Sequence, residues 1–455
     1  MATTANHVLL RRITLSASAS SVTFDSIPQT GYTDLKLVHS SKTSSGDSNA
    51  NDPINLSFNG SSSNFTGRMI YGVGSSAGSG TNSYYGGLSN SSGSNTTNVF
   101  ANSEIYIPNY TSNVAKSFSA EGVSEANQTA AISVMTAGLW NPGTQAAITS
   151  ITLTPAVGPN FVAGSSFSLY GIADVNTTPK SAPKADGGDI IKTDGTYWYH
   201  AFLSSGTFKP QVNLTADVLV VAGGGGGGSL DGGGGGAGGV FYASSQTLST
   251  TNYTCTVGAG GNGATSIAAT NGVNSIFGAL TAAVGGGSGG GYNGTSTVGS
   301  NGGSGGGGGY DAAAGGSGTS GQGNSGGSGY VVTATKAAGG GGGGASASGT
   351  SATSTYAGNG GNGVSTYSSW GLATNTGQNV SSTYYYAGGG GGGGDNRGTS
   401  AGGAGYGGGA TGSISSTAPA GTANTGGGGG GGGYNGSSQN GGNGGSGIII
   451  VRYPV

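Results

Sequence analysis

The chain has 455 residues, a formal net charge of −2 and only 6% charged residues, where about 25% is usual for a globular protein. Charge this sparse offers no basic stripe for nucleic acid or for an anionic membrane surface, and the single cysteine, Cys255, leaves no intramolecular disulfide framework. Glycine is the outlier: of 106 glycines, 20 precede residue 201 and 86 follow it, so two halves of different construction are expected.

The opening stretch, "MATTANHVLLRRITLS", carries its arginines behind the apolar residues rather than ahead of them, so no signal peptide is expected. The longest aliphatic runs, "VLVV" and "IIIV", are too short to cross a bilayer, and synthesis in a cytoplasm without membrane insertion is the expectation. Residues 1–173 alternate apolar and polar positions with period two, in "INLSF", "EIYI", "AISV", "SITLT" and "SFSLYGI", separated by Ser, Asn and Gly turns. This pattern predicts a jelly-roll-like β-sandwich. Residues 174–186, "DVNTTPKSAPKAD", have a linker's composition. Residues 187–215 then predict a short β connector, with "TYWYHAF" as a strand carrying His200 on one face.

From residue 216 to 455 glycine runs set the pattern. "ADVLVVAGGGGGG" leads a strand into the first run, and Gly223, Gly225 and Gly228 formally satisfy G-x-G-x-x-G. A dinucleotide site also needs a helix starting at the turn and an acidic residue about 20 positions on. The residues that follow, "SLDGGGGGAGG", cannot hold a helix, and no acidic residue has that spacing. No G-K-[ST] occurs either, so neither nucleotide motif is present and no cofactor is expected. Collagen is excluded because the runs are contiguous and only three prolines follow residue 200. A flexible Gly/Ser linker fits the composition, but aliphatic strands at both ends and interleaved aromatics point to a packed polyglycine II bundle. In that form the chain has three residues per turn, and neighbouring segments pair N–H with C=O directly. The fold class expected is therefore all-β: a sandwich, a short β segment and a polyglycine II helix bundle.

The bundle's segments must reverse, and the insertions between runs are the reversals. The longest, 345–387, holds Tyr356, Tyr367, Trp370, Tyr384, Tyr385 and Tyr386; others offer Tyr292, Tyr310, Tyr330, Tyr406 and Tyr434. Tyr among Ser, Gly and Asn combines rigid contact with adaptable hydrogen bonding, which makes the 345–387 group the candidate binding residues. Covering the edges of the glycine lattice is the competing use of the same side chains. Catalysis is not expected. The acidic residues of the second half stand singly, Asp34, Glu104, Glu121 and Glu125 read as solvated surface near strand ends, and His7, His39 and His200 have no metal-ligand spacing.

Two groups of stretches carry a resemblance. "SVTFDSIPQTGYTDLKLV", "INLSFNGSSSNFTGRMIYG" and "GLWNPGTQAAITSITLTPAVGPNFVAGSSFSLYGI" resemble an N-terminal β domain of bacteriophage structural proteins. "GTYWYHAFLSSGTFKP", "ADVLVVAGGGGGG" and the closing "GGNGGSGIIIVRYPV" resemble the start and end of the glycine-rich domain of phage tail fibres and adhesins. The resemblance implies a virion appendage whose loops touch a host surface receptor, a glycan or an outer-membrane protein. It also implies an N-terminal domain bound to other virion proteins, and a homotrimer. A structural reading stands beside it: a capsid-decorating, fibre-forming or filament protein with the glycine domain as a spacer.

Overall fold

The computed structural model describes residues 7–45, 52–81, 85–91, 99–124, 131–173, 183–265, 268–291, 297–333 and 336–455. Two compact units result. One comprises Met1–Pro183, Asp189–Thr196 and Val455; the other comprises Lys184–Gly188 and Tyr197–Pro454. Most of the connector read over 187–215 thus belongs to the second unit, and residues 174–182 of the linker lie outside the described residues.

In the first unit alternation becomes strand. Its strands are β1 (His7–Thr14), β2 (Val22–Phe24), β3 (Tyr32–Thr43), β4 (Asp52–Phe58), β5 (Phe65–Val73) and β6 (Ser76–Thr81). β7 (Leu88–Ser91), β8 (Ala101–Ile107), β9 (Lys116–Ser124), β10 (Ile132–Trp140), β11 (Ile151–Pro155), β12 (Ser166–Ala173) and β14 (Ile190–Thr193) complete the set. The larger sheet runs β6–β5–β10–β9–β8–β3–β12–β1–β14, antiparallel throughout. The smaller runs β2–β11–β4–β7, and a short parallel pairing of β7 with β3 joins the two. The sandwich expected from the alternation is therefore present, with unequal sheets.

Its core is filled by the inward positions of both sheets, including Leu35, Leu37, Ile105 and Phe167 from one and Phe24, Leu56, Phe58 and Leu153 from the other. Phe58 is fully buried and meets Phe118, Trp140 and Phe65 at ring separations of 5.8, 5.5 and 5.4 Å. Phe58→Ala is expected to cost about 3–5 kcal/mol, the transfer term plus the cavity left among rings that cannot collapse; urea unfolding of the full chain reads it. Polar residues are absorbed inside as well, Asp52 and His39 among them. Asp52 accepts from Thr43 Oγ1 (2.7 Å) and from the Val157 and Gly158 N–H groups (3.0 and 2.9 Å). His39 bonds Ser41 Oγ and the Gly86 carbonyl, and burial pushes its imidazole down to about 4.

The second unit starts from two small sheets. β15 (Tyr197–Phe202), β25 (Ile448–Pro454), β17 (Leu214–Val221) and β18 (Val240–Leu248) pair in that order, all antiparallel. β13 (Ala185–Asp186), β16 (Gly206–Pro210), β19 (Tyr253–Thr256) and β20 (Ile276–Phe277) form the other. The closing strand thus lies between the two strands of the entry. His200, Phe208, Phe277 and Tyr453 pack between the sheets. His200 is fully buried on β15, with its ring nitrogens bonded to the Gly187 carbonyl and the Tyr453 hydroxyl. Cys255 is buried beside them, and burial pushes its thiol up to about 12, an inert side chain rather than a nucleophile.

The glycine runs continue from these strands as polyglycine II segments, and the first run displays the geometry. Gly223 and Gly226 donate to Val273 and Thr270, Gly224 and Gly227 to Gly445 and Gly442, Gly225 and Gly228 to Gly236 and Gly233. Every third residue returns to the same neighbour, which is the threefold screw of that helix. The carbonyls of the same six residues accept from three further segments, through Gly286 and Gly289, Gly261 and Ala264, Gly429 and Gly432. One segment therefore has six neighbours and no unpaired backbone group. Closeness is what demands glycine: a Cβ on Gly225 would lie 2.2 Å from the Gly287 carbonyl oxygen. Ser288, the one interruption in the run 285–291, turns its hydroxyl to that of Ser300 at 2.9 Å. Among the described residues no helix is long and apolar enough to cross a membrane.

Candidate functional site

Because segments alternate in direction, each reversal falls at one of two ends of the bundle. β17 feeds 223–228 outward, so the turn Ser229–Leu230–Asp231 lies at the end away from the strands, here the far end. Hydrogen bonds carry the assignment onward. Gly233 donates to Gly290, Gly307 to Gly234, Gly340 to Gly308, Gly358 to Gly339, Gly393 to Gly232 and Gly432 to Gly228. The far end therefore gathers residues 229–231, 310–312, 353–356, 395–400 and 434–438, with the hairpin of β21 (Tyr330–Thr333) and β22 (Lys336–Ala338). Residues 278–282, 319–322, 364–387, 406–408 and 422–425 turn at the strand end.

This division sorts the chemistry. Between residues 222 and 447 the charged residues are Asp231, Asp311, Lys336, Asp395 and Arg397, and every one stands at the far end. Tyr310, Tyr330, Tyr356 and Tyr434 stand there too, with Tyr356 63% exposed. Arg397 is held by Asp395 through its Nε (2.8 and 2.9 Å) and its backbone N–H (2.8 Å), and its guanidinium lies 4.3 Å from the centre of the Tyr434 ring. Asp395 and Tyr434 are joined by a parallel bridge, so the pair is fixed by backbone as well as by charge. Burial pushes the Asp395 carboxyl up, but the Arg397 hydrogen bonds outweigh it and hold the group below its usual range.

Asp231 is the second carboxylate of this corner. It is 1% exposed, its Oδ1 has no hydrogen-bond partner among the described residues, and it and Leu230 have φ of 51° and 52°. Burial, and then the charge of Asp395, push its carboxyl up to about 7. The acidic residues of the second half, single in the sequence, are thus partly brought together. Two carboxylates and a guanidinium are an electrostatic fixture for a turn and for a polar contact surface. Among the described residues no three His, Cys, Asp or Glu side chains gather as a metal site.

The insertion 345–387 is not one loop. Its first part runs outward to the turn at 353–356 and returns by 357–363, so Tyr356 alone of the six candidate residues is at the far end. The rest folds on the strand end as a small unit: α1 (Ser368–Thr374), β23 (Gln378–Val380) and β24 (Thr383–Tyr385). Asn375 in the left-handed conformation ends the helix. Gly371 allows the hairpin to close on it, since a Cβ there would meet Tyr384 Cβ at 2.5 Å.

Trp370 anchors this piece. It is 3% exposed, with Tyr199, Tyr242 and Tyr367 around it at 6.2, 6.1 and 5.9 Å. The Arg452 guanidinium lies between the rings of Trp370 and Tyr197, 4.4 Å from each centre, while donating to Asp217 Oδ2 at 3.1 and 2.9 Å. Tyr386 is fully buried, with its hydroxyl on Thr376, and Tyr384 is 7% exposed. Trp370, Tyr384 and Tyr386 are therefore packing residues, which corrects their place among the candidate contact residues: a buried ring has no face to offer a partner. Tyr367 and Tyr385 are half-buried at the strand end, with their rings tilted against those of Tyr242 and Tyr406 at 5.3 and 5.5 Å. The far-end residues Asp311, Lys336 and Arg397 were missed as site residues, although counting the direction of successive glycine runs places them. Tyr292 and Glu125 lie outside the described residues.

No curated protein and no solved structure matches the chain. A model of the glycine-rich domain matches residues 203–454, which takes in β17, β25 and every polyglycine segment between them and covers more than half of the chain. The protein belongs to the glycine-rich domain family.

Proposed function

We propose that this protein is a bacteriophage virion appendage, a tail fibre or adhesin, exposed on the virion surface. It binds a host-surface receptor, a glycan or an outer-membrane protein, through the far end of its glycine bundle. The observation that carries the reading is the sorting of side chains: all five charges between residues 222 and 447, and the most exposed tyrosine among the described residues of that region, lie at one end. An inert spacer has no use for such a bias. A rigid lattice that presents Tyr, Arg, Asp and Lys on short turns suits recognition, because the loops lose little conformational freedom on binding. The tyrosine faces suit sugar rings, and the Arg397–Tyr434 stack adds a fixed cation.

The test is binding of the purified full chain to a panel of bacterial strains, followed by the same measurement on variants. Tyr356→Ala with Arg397→Ala is expected to weaken binding to a recognised strain by roughly tenfold to a hundredfold, about 1.4–3 kcal/mol. Tyr385→Ala, at the strand end, is expected to leave it unchanged. Equal loss from both variants removes the far end as the contact surface. Absence of binding across the panel favours the spacer reading.

A further inference from the structure

We propose that the outer face of β5, β10 and β9 in the first unit is an interface with a second copy of this chain. Outward positions of that face carry Ile70 at 59%, Met135 at 54%, Val123 at 41% and Leu139 at 39% exposure. Register puts Met135 opposite Ile70 on one side and Glu121 on the other, with Val123 diagonal to Met135; Ala137 lies between Arg68 and Ser119, and Leu139 follows it along β10. Met135 stands between two hollows, one of about 430 Å³ lined by Arg68, Ile70, Ser79 and Ala137, the other of about 210 Å³ lined by Glu104 and Glu121. Single exposed apolar residues are ordinary on a protein surface; a run of them along neighbouring strands is not.

Charge says what covers it. Glu104 and Glu121 are directly opposed on β8 and β9, an arrangement that destabilises a sheet unless cations answer it. Lys36 answers Glu104 at 2.7 Å. Glu121 has no ion-pair partner among the described residues, and Arg68, on the other side of the apolar strip, has none either. A twofold axis along β10 superposes the strip on itself and brings Arg68 of each copy over β9 of the other. Glu121 is then two residues along the strand from the position facing Arg68, about 7 Å, within reach of a guanidinium. The interface is isologous, so one residue pair is made twice. Met135 meets its own counterpart, and the partner's Ile70 covers the hollow beside Glu121.

The experiment is sedimentation equilibrium of the full chain at micromolar concentration. The wild-type protein is expected to show a two-copy mass, and Met135→Glu, which sets a third carboxylate beside Glu121, a one-copy mass. Arg68→Glu alone and Glu121→Arg alone are each expected to weaken association by roughly tenfold or more, and the two together to restore it. Restoration in the double variant also shows that the single variants fold. A one-copy wild-type mass overturns the proposal, as does the three-copy mass that the resemblance to phage fibres implies, a mass that Met135→Glu leaves unchanged or a double variant no better than the single ones.

Discussion

Gly390→Ala is expected to unfold the glycine bundle or to cost it more than about 4 kcal/mol, the range reached only by severe packing violations. The added Cβ would lie 2.1 Å from the Gly429 carbonyl oxygen and 2.7 Å from its carbon. Neither side can yield. Gly390 N–H is bonded to the Gly235 carbonyl (2.9 Å), and its own carbonyl accepts from Gly342 (2.8 Å); Gly429 is tied to Gly235 and Gly225 in the same way. Moving any of these segments breaks bonds to the others, because each is shared in a lattice with six-fold contact. Gly403→Ala is the control. Its Cβ would first meet the Asn359 side-chain oxygen at 3.2 Å, an exposed rim group that accepts from the Gly403 N–H at 2.7 Å and need give only a few tenths of an ångström, and its cost is expected below about 1 kcal/mol. Part of that cost is returned because alanine restricts the unfolded chain. Amide hydrogen exchange of Gly223–Gly236 in both variants makes the comparison. Protection lost in Gly390→Ala and kept in Gly403→Ala is the expected outcome; similar protection in both refutes the lattice as the source of stability.

The contrast between the halves also shows what a sequence can reveal. In the first unit burial follows alternation almost residue by residue, as along β9 and β10, because a strand exposes its pattern locally. The polyglycine lattice was legible for the opposite reason: only a structure that excludes side chains requires pure runs. The aromatic residues were not legible in the same way. Trp370 and Tyr386 occupy a segment with the same Ser, Thr, Gly and Tyr vocabulary as the turn bearing Tyr356, yet they are buried while Tyr356 is exposed. What separates them is the end of the bundle at which the chain reverses, a property of every preceding segment together. The meeting of Asp231 with Asp395 has the same origin, since it depends on 232–236, 388–394 and 426–433 being neighbours in the lattice.

That meeting leads to a pH dependence confined to the far end. The Asp231 carboxyl is raised by burial and by Asp395 from 3.8 to about 7, so the folded tip keeps a proton that the unfolded chain releases near pH 4. The stabilisation is complete below the unfolded value and is lost as pH rises through about 7. At about 1.4 kcal/mol per pH unit, over roughly three units, the loss is at most about 4 kcal/mol. Asp395 and Arg397 are the charges that act on the group, Tyr434 lies against Arg397, and the Lys336 Nζ is against Gly398 nearby; of these Asp395 stays ionised because Arg397 holds it. His39, lowered to about 4 in the first unit, acts with the opposite sign, since its neutral folded form gains stability as pH rises from about 4 to 6.5. A global melting temperature would mix the two. Hydrogen exchange at Gly232, Gly393 and Gly432, which adjoin the tip, isolates Asp231. Exchange there, corrected for its intrinsic pH dependence, is expected to accelerate from pH 5 to pH 8 in the wild-type protein. It is expected to remain level in Asp231→Asn, whose amide keeps the shape and cannot ionise. An acceleration that survives the substitution assigns the effect to another group. A level profile in the wild-type protein means the tip admits enough water to leave the carboxylate charged without cost.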